Sequence, residues 1–334
     1  MRNPVLGLLL GDCAGVGPEI LVKALATNEW KGIYLPLVIG SERIFLEGMN
    51  VAGQKLPYSK IGTLQDVMKI DGDGIVLLDK EGFDPGAYKY GEASVSSGKC
   101  ILEMLRTGVE LWREGVIGGF SVAPLNKAVI NMADSSFSDE LQVMRREASF
   151  DGLCLEMNYA ASIWTSRVTG HIPLSKVGEA LSVERIADVV RLTSKSLETQ
   201  GKSSPVIFVS ALNPHGGEGG IFGNEEIEII TPAIELVRKE GLNVAGPYPA
   251  DTVFYNAFKR NCDAVVTMYH DQGQIALKTL HFGEGATFFA GLPFIVTTPA
   301  HGVAYDVAGR GIANESSMRT AMNIAASMLR GHGA

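Results

Sequence analysis

Residues 5–26, with the sequence VLGLLLGDCAGVGPEILVKALA, decide the fold class. The apolar run Val5–Leu10 predicts a buried strand, and the apolar spacing over Pro18–Ala26 predicts a helix. The turn between them, Gly11–Glu19, has glycines that permit a tight bend, a proline suited to a first helical turn, and a carboxylate suited to the positive helix terminus. Because this turn lacks both the GxGxxG and the P-loop pattern, it predicts a strand–turn–helix unit and no particular ligand.

The same alternation of strand-like and helix-like segments continues along the chain. Short apolar runs predict strands, and apolar residues at a 3.6-residue spacing predict helices. The polar segment Ala133–Ser149 is predicted to be irregular, as a lid or a domain edge. Strand–helix alternation without internal repeats predicts an α/β protein with a largely parallel sheet. Further strands are predicted at Tyr34–Ile39, Gly74–Leu78, Val116–Val122, Val206–Ser210, Ala264–Met268 and Pro293–Thr297, and further helices at Ala93–Glu114, Val183–Thr199, Asn224–Glu240 and Ser317–Leu329.

Composition excludes several classes of protein. The chain has 334 residues, is 46% hydrophobic and carries a charge of −8, from 29 Lys+Arg and 37 Asp+Glu. Its length suits about two domains. The acidic balance argues against nucleic acid and anionic membranes as partners, and no apolar run approaches the ~20 residues that span a bilayer. The four cysteines are far apart, which predicts reduced thiols in a cytoplasmic protein.

Three of the six histidines follow strand-like runs. His171 lies in VTGHIP, His215 in ALNPHGG and His270 in MYHDQG, each before a turn that contains Gly or Pro. In a parallel α/β sheet this places each side chain at the carboxyl end of a strand, where ligands bind. Three imidazoles can hold a divalent cation and leave a position open, which is the pattern of a catalytic site. The alternative is three unrelated histidines that cap turns.

Two charged residues near His270 and a glycine-rich loop are further candidates. Asp271 can orient the neighbouring imidazole or hold a proton, and Lys278 can stabilise a carboxylate or an enolate; a surface lysine is the alternative. The loop 301–314, HGVAYDVAGRGIAN, precedes an amphipathic helix and can offer backbone donors to an adenine edge. Its Asp306 can accept hydrogen bonds from ribose hydroxyls, which favours NAD over NADP. The alternative is a loop that only caps the last helix.

A set of motifs resembles the 4-hydroxythreonine-4-phosphate dehydrogenase (PdxA) family. The resemblance extends in order from about Leu6 to Leu329, and its motifs are GDCAGVGPE, APLNK, TGHIPL, NPHGGEGGIFGNEE, GPYPADTVF, YHDQGQIALK, GLPFI and HGVAYDVAGRGIA. It implies an isocitrate/isopropylmalate dehydrogenase-like fold of two α/β/α domains, with the active site in the interdomain cleft. It also implies a homodimer whose sites are completed across the interface. We therefore expect a cofactor-binding domain of residues 1–125 plus 285–334, and a substrate, metal and dimerisation domain of residues 126–284.

The resemblance also implies roles for individual residues. The family's three metal ligands match His171, His215 and His270, and its substrate-binding lysine matches Lys278. NAD is the implied electron acceptor, and the metal is zinc, manganese, cobalt, nickel or magnesium, of which three histidines disfavour magnesium. Lys127 is a candidate contact for substrate or cofactor. The candidate general bases are Asp251 and Asp271, and the expected cofactor contacts are His301, Gly302, Ala304, Asp306 and Asn314.

Four positions depart from the family's pattern. Its phosphate-binding His and Thr fall on Glu140 and Leu141, its substrate-binding Asn falls on Thr287, and its Arg falls on Val296. A carboxylate about 4 Å from a phosphate would repel it by roughly 1–4 kcal/mol. These changes predict a substrate without the phosphate.

The expected activity is therefore the NAD- and metal-dependent oxidation of a small hydroxy acid or diol carboxylate, with loss of CO₂ from the resulting β-keto acid. Arg145 and Arg146 follow the altered segment, either as a replacement anion site or as exposed helix residues. One alternative is an authentic 4-hydroxythreonine-4-phosphate dehydrogenase of pyridoxal phosphate biosynthesis, or a sugar-acid phosphate dehydrogenase, that uses other residues. A non-catalytic homologue that binds a metabolite is the other.

Overall fold

The computed structural model describes residues 3–63, 66, 73–281 and 283–331. The chain divides into two units, of which unit 1 comprises Met1–Gly152 and Leu292–Ala334, and unit 2 comprises Leu153–Gly291. In the described part of the chain, no helix combines the length and the apolar character needed to cross a bilayer.

Unit 1 contains a parallel sheet between helices. Its strands are β1 (Val5–Leu9), β2 (Leu35–Ile39), β3 (Tyr58–Ile61), β4 (Ile75–Leu78), β5 (Gly119–Val122) and β12 (Ile295–Pro299), in the spatial order β3-β4-β2-β1-β5-β12. Strands β2, β4 and β5 are buried along their whole length, as expected for parallel strands covered on both faces. Its described helices are α1 (Gly17–Ala26), α2 (Glu42–Ala52), α3 (Val95–Arg113), α4 (Lys127–Ala133), α5 (Glu140–Glu147) and α10 (Ser316–Gly331).

The segment 133–149 contains the helix Glu140–Glu147, so its predicted irregular structure is wrong for these eight residues and holds for residues 134–139. Asp139 caps α5, because its Oδ1 accepts a hydrogen bond of 2.9 Å from the backbone N–H of Gln142. The eight-residue helix α5 buries Val143 and Met144. A helix this short shows little periodicity in the sequence. Residues 126–152 belong to unit 1, where α4 and α5 pack on α3, whereas the expected division began the second domain at residue 126.

Unit 2 contains a mixed sheet. Its strands are β6 (Leu155–Ala160), β7 (Ile163–Arg167), β8 (Ile207–Ser210), β9 (Val244–Tyr248), β10 (Ala264–Thr267) and β11 (Ala286–Ala290), in the spatial order β11-β6-β7-β10-β8-β9. Strand β6 is antiparallel to β11 and β7, and the pairs β7–β10, β10–β8 and β8–β9 are parallel. Its described α-helices are α6 (Val183–Glu198), α7 (Thr231–Lys239), α8 (Ala250–Lys259) and α9 (His270–Leu280).

Helix α8 covers one part of the core of unit 2. Val253, Phe254 and Ala257 of α8 pack with Phe208 of β8 and Val265 of β10. A turn of π-helix, Glu226–Ile230, runs directly into α7, so the predicted single helix over 224–240 has a π-helical first turn. Each of the other predicted helices and strands is present, with shifted ends, which confirms the predicted α/β class.

Candidate active site

Three neighbouring parallel strands of unit 2 bring the predicted metal ligands to one edge. Strand β10 lies between β7 and β8, and Ala264 is in register with Trp164 of β7 and Ile207 of β8. The three strands run in the same direction, so their carboxyl ends share one edge of the sheet. His171 follows β7, His215 follows β8, and His270 follows β10 as the first residue of α9. We call this group, His171, His215 and His270, the histidine edge.

Two of these rings are neighbours. The ring centroids of His171 and His270 are 5.1 Å apart. His215 lies on the same edge, in the turn Pro214–Gly220, with a left-handed backbone φ of 53°. Within the described ranges, no group of three or more His, Cys, Asp or Glu side chains is arranged to hold a metal ion. The structure therefore pairs two predicted ligands and places the third at the same sheet edge.

Hydrogen bonds fasten the segments that carry the histidines. The N–H of Thr169 donates to the carbonyl of Met268 over 3.1 Å, and the Thr169 hydroxyl donates to the same oxygen over 2.8 Å. Gln272 on α9 accepts from the N–H of Met268 over 2.8 Å and donates to the carbonyl of Ala211 over 2.9 Å. Gln272 thus cross-links the exits of β10 and β8. No sequence pattern singles out Gln272, and its only signal is its place beside His270 and Asp271.

A buried carboxylate holds the start of the loop that carries His215. Glu226 is 3% exposed, and its Oε1 accepts hydrogen bonds of 2.8 Å from the backbone N–H groups of Leu212 and Asn213. Its Oε2 accepts another, of 2.9 Å, from the side-chain amide of Asn213. At Gly217 a Cβ would stand 2.7 Å from this Oε2, so the close approach of backbone to carboxylate requires glycine. The sequence signal that could have identified Glu226 is its place in the stretch Asn224–Glu226, directly after a glycine-rich loop.

A polar network lies between the sheet of unit 2 and α9. The side-chain oxygen of Asn158 accepts hydrogen bonds from Arg167 over 2.8 Å and from Gln274 over 2.7 Å. The Asn158 amide donates to the hydroxyl of Thr287 over 2.8 Å, and Arg167 also pairs with Glu156. Gln274 lies one helical turn after His270, so this network joins α9 to β6 and β7. Thr287, a predicted substrate contact, is 7% exposed and takes part in it.

The predicted acid–base and charged residues of unit 2 are exposed. Asp271 lies 2.7 Å from Nδ1 of His270, measured to Oδ1. Lys278 is exposed in the second half of α9. Asp251 is exposed in the first turn of α8, which follows the edge strand β9. Because β9 is parallel to β8, Asp251 follows its strand at the same edge of the sheet as His215.

The predicted substrate contacts of unit 1 lie in different settings. Glu140 and Leu141 begin α5 and are partly exposed. Lys127 is exposed as the first residue of α4. Val296 is completely buried in β12, which removes its side chain from the surfaces that a substrate can reach.

The glycine-rich loop 301–314 packs against the first strand–turn–helix unit. The Tyr305 hydroxyl donates to Oδ2 of Asp12 over 2.6 Å and accepts from the side-chain amide of Asn126 over 3.1 Å. Burial raises the pKa of the Asp12 carboxyl, although its hydrogen bonds with Tyr305 and the N–H of Ala14 act in the opposite direction. Burial also raises the pKa of the Tyr305 phenol.

The expected cofactor contacts occupy both ends of this loop. His301 places Nδ1 2.9 Å from the carbonyl of Gly302, and Ala304 has a positive φ of 45°. Asp306 is exposed. Asn314 accepts a hydrogen bond of 2.7 Å from the N–H of Ser316 at the start of α10, so this part of the loop also caps the last helix.

Comparison with known proteins identifies the family. The family model for "Pyridoxal phosphate biosynthetic protein PdxA" matches residues 33–325. The chain belongs to the PdxA family. It is 41% identical over 98% of its length to a Rhizobium meliloti (strain 1021) protein provisionally named 4-hydroxythreonine-4-phosphate dehydrogenase 2, of which the match covers 94%.

Other PdxA relatives agree with this assignment. A protein of Oceanobacillus iheyensis provisionally named D-threonate 4-phosphate dehydrogenase is 35% identical, and the match covers 96% of this chain and 97% of that protein. The crystal structure of 4-hydroxythreonine-4-phosphate dehydrogenase from Klebsiella pneumoniae superimposes with a TM-score of 0.86 at 31% identity, covering 98% of each chain. The predicted family, fold class and dehydrogenase activity are thereby confirmed.

Proposed function

We propose that this PdxA-family chain is an NAD-dependent and divalent-metal-dependent dehydrogenase of a small hydroxy acid or diol carboxylate, and that it decarboxylates the oxidised product. The observation that carries this proposal is the histidine edge, in which imidazoles follow three adjacent parallel strands and two ring centroids lie 5.1 Å apart.

The histidine edge fits a divalent cation by its donor chemistry. His171, His215 and His270 would hold it, and imidazole suits zinc, cobalt, nickel and manganese better than magnesium, which prefers oxygen. With its proton on Nδ1, His270 would donate to Asp271 and keep the lone pair of Nε2 available to a metal. Gln272 and Glu226 hold the backbone on which two of these ligands stand.

The chain's own residues supply the remaining chemistry. When bound, the cation lowers the pKa of the substrate hydroxyl and NAD accepts the hydride. Asp251 or Asp271 takes the hydroxyl proton, directly or through one water. The Lys278 ammonium binds the substrate carboxylate and then the enolate charge that remains when CO₂ leaves. The loop 301–314 binds the adenosine of NAD, with Asp306 on the ribose hydroxyls.

Exposed apolar side chains support a homodimer in which the partner completes the site. On unit 2, Ile221 is 75% exposed, Leu174 is 69% exposed and Ile275 is 65% exposed. In the sequence, each of the three closely follows one histidine of the histidine edge. If these side chains form one contiguous apolar patch, that patch would mark a protein interface. Light scattering coupled to gel filtration measures the expected dimer mass.

A phosphorylated substrate is the second candidate. The relatives named above carry phosphate substrates in their names. A surface depression of about 400 Å³ in unit 1 is lined by Arg145 and Arg146. Arg146 stacks on Phe137 at 3.8 Å and donates to the hydroxyl of Ser136, and Arg145 donates to the carbonyl of Phe150. Two guanidinium groups beside one depression favour an anion there.

One experiment separates these candidates. Protein, NAD and Mn²⁺ or Zn²⁺ are incubated with hydroxy acids and diol carboxylates, each with and without a phosphate group, while NADH absorbance and CO₂ release are followed. We expect turnover of a non-phosphorylated compound that stops after EDTA treatment and returns with metal. Turnover confined to phosphorylated compounds supports the second candidate. Full activity after EDTA treatment contradicts the metal role, and tight binding without turnover indicates a non-catalytic homologue.

A further inference from the structure

Helix α1 carries a partly buried ion pair that contacts the end of the glycine-rich loop. Glu19 is 3% exposed, and its Oε1 lies 2.7 Å from Nζ of Lys23, one helical turn later. The same Oε1 accepts a hydrogen bond of 2.8 Å from the N–H of Ala313. Nζ of Lys23 donates to the carbonyls of Gly311 and Ala313 over 2.9 Å and 2.8 Å.

These contacts use the full hydrogen-bonding capacity of the lysine. An ammonium group has three donors, and those of Lys23 are all directed at Glu19 or at the loop backbone. The second carboxylate oxygen, Oε2 of Glu19, is buried without a hydrogen-bond partner among the described residues. A pair that only stabilised the fold would be replaceable by apolar side chains at little cost. What apolar side chains cannot supply is the fixed position of three backbone groups at 311 and 313.

The other end of the loop is held by the turn that precedes α1. The N–H of Val16 donates to the carbonyl of Val303 over 3.0 Å, and a Cβ at Gly15 would stand 2.8 Å from that same oxygen. The hydroxyl of Tyr305 donates to Asp12. The strand–turn–helix unit thus fixes residues 303–305 and 311–313, and Asp306 between these anchors is left exposed.

We propose that Glu19 and Lys23 are positioning residues for the dinucleotide, because they order residues 311–313 before the adenosine binds. This inference rests on the proposed function, in which the loop 301–314 binds NAD. A loop that is ordered in advance does not lose its backbone freedom on binding, so the affinity is higher for the same contacts. Neither residue is required to touch NAD, substrate or metal.

The test compares Lys23→Met, Glu19→Gln and the double variant with the wild type. Lys202→Met is the matched control, because Lys202 is an exposed lysine of unit 2 that lies 3.0 Å from Asp263. The dissociation constant of NAD is measured by calorimetry, the kcat at saturating NAD by absorbance, and the amide exchange of the peptide that contains Ala313 by mass spectrometry.

We expect Lys23→Met to weaken NAD binding by at least about tenfold, with faster amide exchange at 311–313 and less than about a twofold change in kcat. The double variant should be no weaker than Lys23→Met, because both substitutions break one unit. Lys23→Arg, which keeps the charge and several donors, should recover part of the affinity. Lys202→Met should match the wild type.

Unchanged NAD affinity and unchanged amide exchange in Lys23→Met would overturn the inference while the proposed function stands. A wild-type protein that binds no dinucleotide would overturn the proposed function, and this inference with it. If Lys23→Met does not fold, Glu19→Gln carries the same test, since glutamine keeps the length of the side chain and a carbonyl oxygen for the N–H of Ala313.

Discussion

Removing the Glu226 carboxylate should loosen the loop that carries His215. This carboxylate accepts three hydrogen bonds, from the N–H groups of Leu212 and Asn213 and from the side chain of Asn213. Hydrogen bonds to a charged group contribute about 1.5–3 kcal/mol each. Glu226→Gln keeps one oxygen for the two backbone donors and loses one charged bond, so it should lower the free energy of unfolding by about 1.5–3 kcal/mol.

Glu226→Ala should cost more, about 3–5 kcal/mol, because it leaves buried donors without an acceptor. The sum of three separate bonds overstates this loss, since Glu225 also accepts from the Asn213 amide, over 2.7 Å. The same substitution should also weaken metal binding. With its loop loosened, His215 no longer stands at the sheet edge, and metal affinity should fall by about 10- to 100-fold.

Urea unfolding of the metal-free protein measures the stability change, and titration with Co²⁺, followed by its visible absorption, measures the affinity. Glu228→Gln is the matched control, because Glu228 lies in the same π-helical turn and is exposed. Glu228→Gln should change neither the free energy of unfolding nor the free energy of Co²⁺ binding by more than about 0.5 kcal/mol. The reasoning is refuted if Glu226→Ala is as stable as Glu228→Gln, or if it is destabilised yet binds Co²⁺ with wild-type affinity.

Three shorter predictions concern other residues. His215→Ala should abolish tight metal binding and turnover together, whereas His281→Ala, which removes an exposed histidine at the end of α9, should change neither; metal content and NADH formation measure this. Asp306→Asn should raise the KM for NAD and reduce the preference for NAD over NADP. An unchanged KM would contradict the assignment of Asp306 to the ribose hydroxyls. Burial raises the pKa of the Asp12 carboxyl in the folded state, so its contribution to stability falls as the pH rises from about 3.9 through that raised value. Asp12→Asn should therefore gain stability relative to the wild type as the pH rises through this window, which urea unfolding at several pH values measures; a difference that does not vary with pH would contradict it.

Apolar runs and helical periodicity predicted most of the long strands and helices. The apolar runs of β1, β2 and β4 are recognisable because these strands are almost completely buried, and the helices α3 and α6 are recognisable because each buries one face. The hairpin of β6 and β7 was missed. Its two-residue turn places Ala161 and Ser162 at positive φ, 53° and 67°, without the Gly or Asn that usually marks such a turn.

Helix α9 was missed because a glycine within it was interpreted as part of a turn. His270 begins this helix, and the glycine in YHDQG suggested a turn at that point. Gly273 is instead buried within α9, with Thr165 and Thr267 nearest to its position. A Cβ at this position would make only ordinary van der Waals contacts with both threonines, so Gly273 is a helical residue and marks no turn.

By itself, the sequence determined the α/β class, the family and the three histidines that end neighbouring strands, because each of these depends on patterns within short stretches of chain. The tertiary structure alone decided how those histidines and the glycine-rich loop are held. Gln272 meets the exit of β8, Glu226 meets Leu212, and Lys23 meets Ala313 across 290 positions of sequence. Hydrogen bonds between residues so far apart depend on distance in space, which no local pattern encodes.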